Sequence, residues 1–246
     1  MPNTAITLAG FEHLTDWIQP SNVGDTGGGS TRPSGTFAMI PATSLVPQVP
    51  EVPAIPAVPA IPAQPAAFSA QGNYPYNNGY WYRILPGAWN AMTYFCYQLQ
   101  FMLPTAADIA ACQAIEFELQ QNVGGHIYNM AWQADLNGSK VWRTFDYNVS
   151  AWTPTAIPVN AANLSPGAWN SIEAKYLRGA NNTLTHLSLT INGVEFPVNI
   201  TKTATPKLES DYVHAAFQLD SGSASPPPSY TCHVSGMNVT MMPTGS

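Results

Sequence analysis

Two glutamates with one residue between them are the first feature of this chain that could do chemistry. Residues 114–120 read Ala-Ile-Glu-Phe-Glu-Leu-Gln, a strict alternation of apolar and polar side chains. That period predicts a strand burying Ile115, Phe117 and Leu119 and presenting Glu116, Glu118 and Gln120 on its other face. Residues 94–103 alternate in the same way, with Phe95, Tyr97, Leu99 and Phe101 on one side and Cys96, Gln98 and Gln100 on the other. We expect Gln98, Gln100, Glu116, Glu118, Trp142 and Arg143 to line one concave sheet face. Carboxylates, amides, a guanidinium and an indole suit a sugar, which offers apolar C–H faces and many hydroxyls. The same residues fit a purely structural role equally well, with amides satisfying one another and Trp142 in the core.

Other chemistries find little support. The five histidines, His13, His126, His186, His214 and His233, have no metal-ligand spacing, so no metal or other cofactor is expected. There is no Gly-x-Ser-x-Gly elbow and no phosphate loop, and residues 27–29, all glycine, read as a turn. Cys96, Cys112 and Cys232 allow at most one internal disulfide, and buried free thiols are the simpler expectation. Six Asn-x-Ser/Thr matches, at Asn137, Asn148, Asn163, Asn181, Asn199 and Asn238, are close to what a chain rich in Asn and Thr gives by chance.

Composition excludes more. Of 246 residues only 9% are charged, and the formal net charge is −6. With no basic stripe to neutralise phosphates, a nucleic-acid partner is not expected. No run of about eighteen apolar residues exists to span a membrane. Residues 1–10 lack the basic start and apolar core of a secretory signal. The many Asn, Thr, Ser and aromatic residues, with few Lys, still read as an extracellular or cell-surface protein, whose signal would have been removed.

The elements that must position the glutamates are strands. Beyond 94–103 and 114–120, alternation and turn residues place strands at 126–133, 140–146, 170–177, 184–191, 194–200, 212–220 and 230–241. Asn192-Gly193 between two of them is a hairpin signal. Residues 105–111 make at most one short helical turn. Many strands with polar turns imply an all-β, two-sheet antiparallel sandwich over residues 67–246. Residues 1–40 form an N-terminal segment with an edge strand expected over 11–18.

Between them, residues 41–66 form a different unit. From 41 to 65 every third residue is proline, except Ser44. Three residues per turn make this an expected polyproline II segment with three straight faces. One face carries the prolines and another carries Val46, Val49, Val52, Ile55, Val58 and Ile61. At ~3.1 Å per residue, residues 47–65 would span roughly 60 Å if straight, more than the ~45 Å diameter of a globule of this length. An apolar rod of that length is either a stiff linker or an association surface, and we take it as the latter.

The order of aromatic and turn residues also resembles a known group. Tyr80-Trp-Tyr82 is followed by the strand at 114–120, then Ile-Tyr-Asn-Met-Ala-Trp-Gln at 127–133 and Trp-Arg-Thr-Phe-Asp at 142–146. Trp152, Pro-Gly-Ala-Trp at 166–169, Leu-Thr-Ile-Asn-Gly at 189–193 and Ala-Phe-Gln-Leu-Asp at 216–220 complete the series. This pattern, over about residues 68–242, resembles the concanavalin-A-like jelly roll of bacterial secreted proteins, which includes lectin and glucanase domains. In glucanases of that group a strand Glu-x-Asp-x-Glu, or one residue longer, supplies nucleophile and acid/base. Here both acid/base positions, Gln120 and Gln121, are amides, which cannot donate a proton as a carboxylic acid does. A disulfide common in the group would need cysteines where Ala134 and Val159 stand.

Three readings follow. The first is a non-catalytic extracellular structural protein that assembles into oligomers, a filament or a surface layer through its proline tract. A lectin-like carbohydrate-binding module is the second, and a glucanase-like glycoside hydrolase, weakened by the two glutamines, the third.

Overall fold

A computed structural model describes residues 5–13, 16–18, 35–39, 65–70, 75–87 and 89–243, with the backbone alone for 35–39 and His13. Its strands in chain order are β1 (Ile6–Ala9), β2 (Gly35–Met39), β3 (Ala66–Ala70), β4 (Asn78–Ile84), β5 (Tyr94–Met102), β6 (Cys112–Val123), β7 (His126–Asp135) and β8 (Val141–Asp146). There follow β9 (Ala151–Pro158), β10 (Asn170–Arg178), β11 (Thr183–Ile191), β12 (Val194–Thr203), β13 (Thr205–Pro206), β14 (Tyr212–Ser221) and β15 (Tyr230–Met242). One short helix, α1 (Ala106–Ala111), opens on a capping box in which Thr105 and Asp108 exchange hydrogen bonds. No helix among the described residues is long and apolar enough to cross a membrane.

The strands form two antiparallel sheets packed as a sandwich. An eight-stranded sheet runs β12-β11-β10-β5-β15-β3-β2, with β1 also paired to β15. The seven-stranded sheet runs β4-β14-β6-β7-β8-β9, with β13 also paired to β7. Alternation fixes what lies between them. Phe95, Tyr97, Leu99 and Phe101 of β5 face Ile115, Phe117 and Leu119 of β6, all buried. Tyr97 meets Phe117 edge-on at 5.9 Å, a contact between the sheets. The hairpin of β11 and β12 turns at Asn192 (φ 50°) and Gly193 (φ 81°), the left-handed pair that a tight primed turn requires.

The N-terminal region differs from the expectation. Phe11–His13 form a short 3-10 turn where a strand was expected, and Ile18 makes a single bridge to Tyr82. The strand lies earlier, at Ile6–Ala9, paired with β15. Glu12 explains the turn: its buried carboxylate accepts the N–H groups of Gly236 (2.6 Å) and Met237 (2.9 Å). These are the extra residues of a bulge in β15, between Ser235 and Asn238.

Nearly all of the proline tract, including Val46, Val49, Val52, Ile55, Val58 and Ile61, lies outside the described residues. The residues bounding it do not. Met39 of β2 and Ala66 of β3 are cross-strand partners, so the chain leaves and rejoins the sheet edge at neighbouring points. The three cysteines are free and buried, and burial pushes the Cys96 thiol up to about 12.

Candidate functional site

The outer face of the seven-stranded sheet is assembled from alternate residues of six strands. On β6, Glu116, Glu118 and Gln120 point out, opposite the buried Phe117 and Leu119. The ladders then decide who stands beside them. Glu116 is flanked by Gln218 on β14 and Gln133 on β7, and Gln218 by Tyr80 on β4. Glu118 is flanked by Ala216 and Ala131, and Ala216 by Tyr82. Gln120 stands between His214 and Asn129. At the far flank Arg143 pairs with Gln133, and Phe145 with Trp152 of β9.

Three linked groups of polar side chains cover this floor. Arg143 donates to Gln133 and forms an ion pair with Asp135 at 3.2 Å. Burial alone would raise Asp135, but the hydroxyl and N–H of Ser139, with Arg143, hold it below the usual carboxylate range. Gln133 in turn donates to Glu116 and, at 3.3 Å, to Asp220. Burial lifts Glu116 well above the usual range, and the neighbouring Asp220 charge adds to it. Asp220 is itself raised, chiefly by burial, to about 6. Burial thus favours the protonated form of both carboxyl groups, which also feel each other directly. The second group centres on His214, whose Nε2 lies 3.0 Å from Glu118 Oε1 and 3.4 Å from the Tyr80 hydroxyl. Burial first, then Glu118 and Glu116, raise the Tyr80 phenol. In the third, Gln120 donates to Asn122 and Asn122 to Glu209.

Aromatic rings stand at both sides of the floor. Tyr80 and Tyr82 have ring centroids 6.2 Å apart, and Tyr82 lies 5.6 Å from the His214 ring. On the opposite flank Phe145 packs on Trp152 at 5.1 Å and on Tyr147 at 6.0 Å. Four strand intervals separate Tyr82 from Phe145, about 19 Å at ~4.8 Å per interval. Between them, Glu118 rises from two alanines. Such a strip can accept and donate hydrogen bonds along its length while covering apolar faces at its ends.

Of the six residues expected on one face, this surface brings together Glu116, Glu118 and Arg143. Gln98 and Gln100 belong to β5, in the other sheet, and face away; Gln98 donates to Glu173 at 2.7 Å. Trp142 is wholly buried between the sheets, edge-on to Phe117 at 6.1 Å. Neighbours on one strand point to opposite faces, so Trp142 and Arg143 cannot share a surface. Gln121 also leaves the face: it is buried and donates to the carbonyls of Trp89 and Met92. Tyr80, Tyr82, Gln133, His214, Phe145, Trp152 and Asp220 complete the face, although the sequence reading assigned none of them to it. The alternation Tyr80-Trp81-Tyr82 carried a signal for two of them. Among the described residues no three His, Cys, Asp or Glu side chains are grouped to hold a metal ion.

The class defined by this architecture is the two-sheet jelly-roll sandwich. No family model matches the chain. No curated protein sequence matches it either. Among solved structures it is similar to arcelin-5, a lectin-like defence protein of Phaseolus vulgaris, at 11% identity and TM-score 0.49 over 97% of this chain and 98% of that one. It is also similar to the CBM2 module of the evolved Dit protein of Lactobacillus casei BL23 phage J-1 (11% identity, TM-score 0.42, 74% and 78% covered). A third is the endo-1,3-beta-glucanase of Streptomyces sioyaensis (9%, 0.39, 72% and 70%). What the sheet face can bind follows from its own side chains.

Proposed function

We propose that this protein is a non-catalytic, lectin-like carbohydrate-binding module of an extracellular or cell-surface setting, with its glycan lying across the outer face of the seven-stranded sheet. The observation that carries the reading is the row Tyr82–Ala216–Glu118–Ala131, closed on its far side by Phe145 and Trp152. Rings at both ends of a low floor suit the C–H faces of sugar rings, and the carboxyl and amide groups between them suit hydroxyls. The low charge of the face's cationic side, where Arg143 is committed to Asp135 and Gln133, favours a neutral glycan over a polyanion. Gln120 in the third slot of β6 is an amide bonded to Asn122 and offers no acid for glycosidic cleavage.

Isothermal titration calorimetry of the full chain against neutral oligosaccharides tests this. Tyr82→Ala and Glu118→Ala should each weaken binding by about tenfold or more, with melting unchanged. Absence of binding at millimolar sugar, or binding indifferent to both substitutions, overturns it.

The proline tract supports a second, separate proposal of self-assembly through Val46, Val49, Val52, Ile55, Val58 and Ile61. Its support is an apolar stripe from Val46 to Ile61 repeating every third position, more than a free linker needs. Sedimentation of the chain with and without residues 46–65 decides it: a monomer in both cases removes the proposal.

A further inference from the structure

One histidine sits where the two sheets meet. His186 of β11 is wholly buried. Its ring lies 5.3 Å from that of Tyr176, its partner on β10, and 5.8 Å from that of Trp132 on β7 in the opposite sheet, edge-on to both. Both ladders are irregular at this point. The register shifts just after His186 against β12 and beside Tyr176 against β10, the kind of bulge that re-aims a side chain.

The surroundings of the ring suit a neutral imidazole and no other form. Neither ring nitrogen makes a hydrogen bond of good geometry, and among the described residues no carboxylate bonds to either. The titratable groups facing the ring are the Tyr176 phenol from β10 and the Lys202 ammonium from β12, while β7 presents the indole of Trp132. Lys202 Nζ is held inside by Thr144 Oγ1 and the Phe145 carbonyl, each at 2.7 Å, so a second cation would form beside the first. A neutral ring without partners forfeits its hydrogen bonds; a buried imidazolium without partners costs far more. Burial first, then the Lys202 charge, hold His186 well below its ordinary 6.5, at about 3, against the opposing carbonyl dipoles of Ala131 and Ile200.

We propose that His186 is an acid-sensitive lock between the two sheets: the sandwich closes only around the neutral ring, and acidification releases β11 from β7. The unfolded chain takes up this proton near pH 6.5 and the folded chain only near pH 3. The contribution is therefore complete above pH 6.5 and lost progressively as pH falls toward 3. Other titrations in that window do not imitate it. Glu116 and Asp220, both raised, favour the fold as pH falls, and Asp135, held low, is lost only near and below its ordinary 3.8. His233 of β15, half-buried and lowered with Asp108 opposing, adds a smaller loss of the same sign. Along β7, Trp132 has Ala131 and Gln133 as neighbours, so the lock holds the strand that floors the outer face.

Urea unfolding of the full chain at about pH 7.5 and about pH 4.5 tests this. His186→Phe replaces the ring by one that cannot titrate, and His186→Gln does so with a smaller polar group. From the higher to the lower pH the wild-type folding constant should fall about a hundredfold more than that of either variant. A variant that packs poorly is weaker at both pH values, and the ratio still reads the histidine alone. A pH dependence that both variants share with the wild-type chain overturns the lock. The His186 ring signals in NMR, assigned by their loss in the variants, should stay those of a neutral imidazole down to the pH at which the fold is lost. A ring that titrates near 6.5 in the folded chain also overturns the proposal, because the sandwich would then accept the charge without opening.

Discussion

The outer faces of the two sheets are built from the same kinds of residue and do different things with them. On the eight-stranded sheet every charge near Gln98 is answered: Gln98 donates to Glu173, and Lys175 bridges Glu173 and Glu195 at 3.1 and 3.0 Å. Ser188 also donates to Glu195. On the seven-stranded sheet, Glu116 and Asp220 sit against each other with an amide between them, and rings flank them. A closed ion-pair network has little left to offer a ligand. The other face keeps carboxyl groups answered by the Gln133 amide rather than by a cation. The difference between a face whose charges are paired and one whose carboxyl groups are not therefore lies in cross-strand neighbours rather than in composition.

That contrast can be broken or sharpened by experiment. The largest effect should come from Trp142, which the alternation of β8 sends inward while Arg143 goes outward. Trp142→Ala should destabilise the fold by about 3–5 kcal/mol in chemical denaturation, and Arg143→Ala by much less; similar losses would mean that the β8 register is wrong. Next is binding itself. Tyr82→Ala should cost about tenfold in glycan affinity, whereas Gln98→Ala, on the other face, should cost nothing measurable by calorimetry.

A pH experiment probes the carboxyl pair. Asp220 has a folded value near 6 against an ordinary 3.8, so the fold favours its protonated form. Its stabilising contribution is complete below pH 3.8 and lost as pH rises through 6. Asp220→Asn should thus raise the melting temperature above pH 6 and give no gain below pH 3.8; a pH-independent difference would show that burial does not raise Asp220. The smallest effect belongs to Lys175→Met, which removes partly exposed ion pairs and should change stability by about 1 kcal/mol or less, read from a urea melt.

How much of this was legible in the chain follows from what a period of two can and cannot say. It assigns each residue of β5 and β6 to an inward or an outward face, and both assignments hold. It does not say which sheet a strand joins, because that is set by partners far away in sequence, so Gln98 and Glu116 were brought to one surface when they belong to opposite ones. The Trp142 placement is different in kind, since alternation along β8 already forbade it. Strand β9 escaped notice because Pro154 and Pro158 argue against a strand interior; they are tolerated here because β9 is the edge of its sheet. The change of partner along β7, from β8 to β13, had no local signal at all: it exists because β13, some seventy residues later, takes over part of the strand.

The pairing of β1 and β3 with β15, and of β4 with β14, has a consequence for biosynthesis. Strands β1, β3 and β4 have partners made more than a hundred residues later, so a nascent chain ending before residue 212 carries each of them with an open edge. The middle of the molecule, β5 to β12, can assemble meanwhile. Closure of both sheets must wait for residues 212–242, which makes the sandwich a late-folding, high-contact-order product whose earlier strands need shielding until those residues emerge.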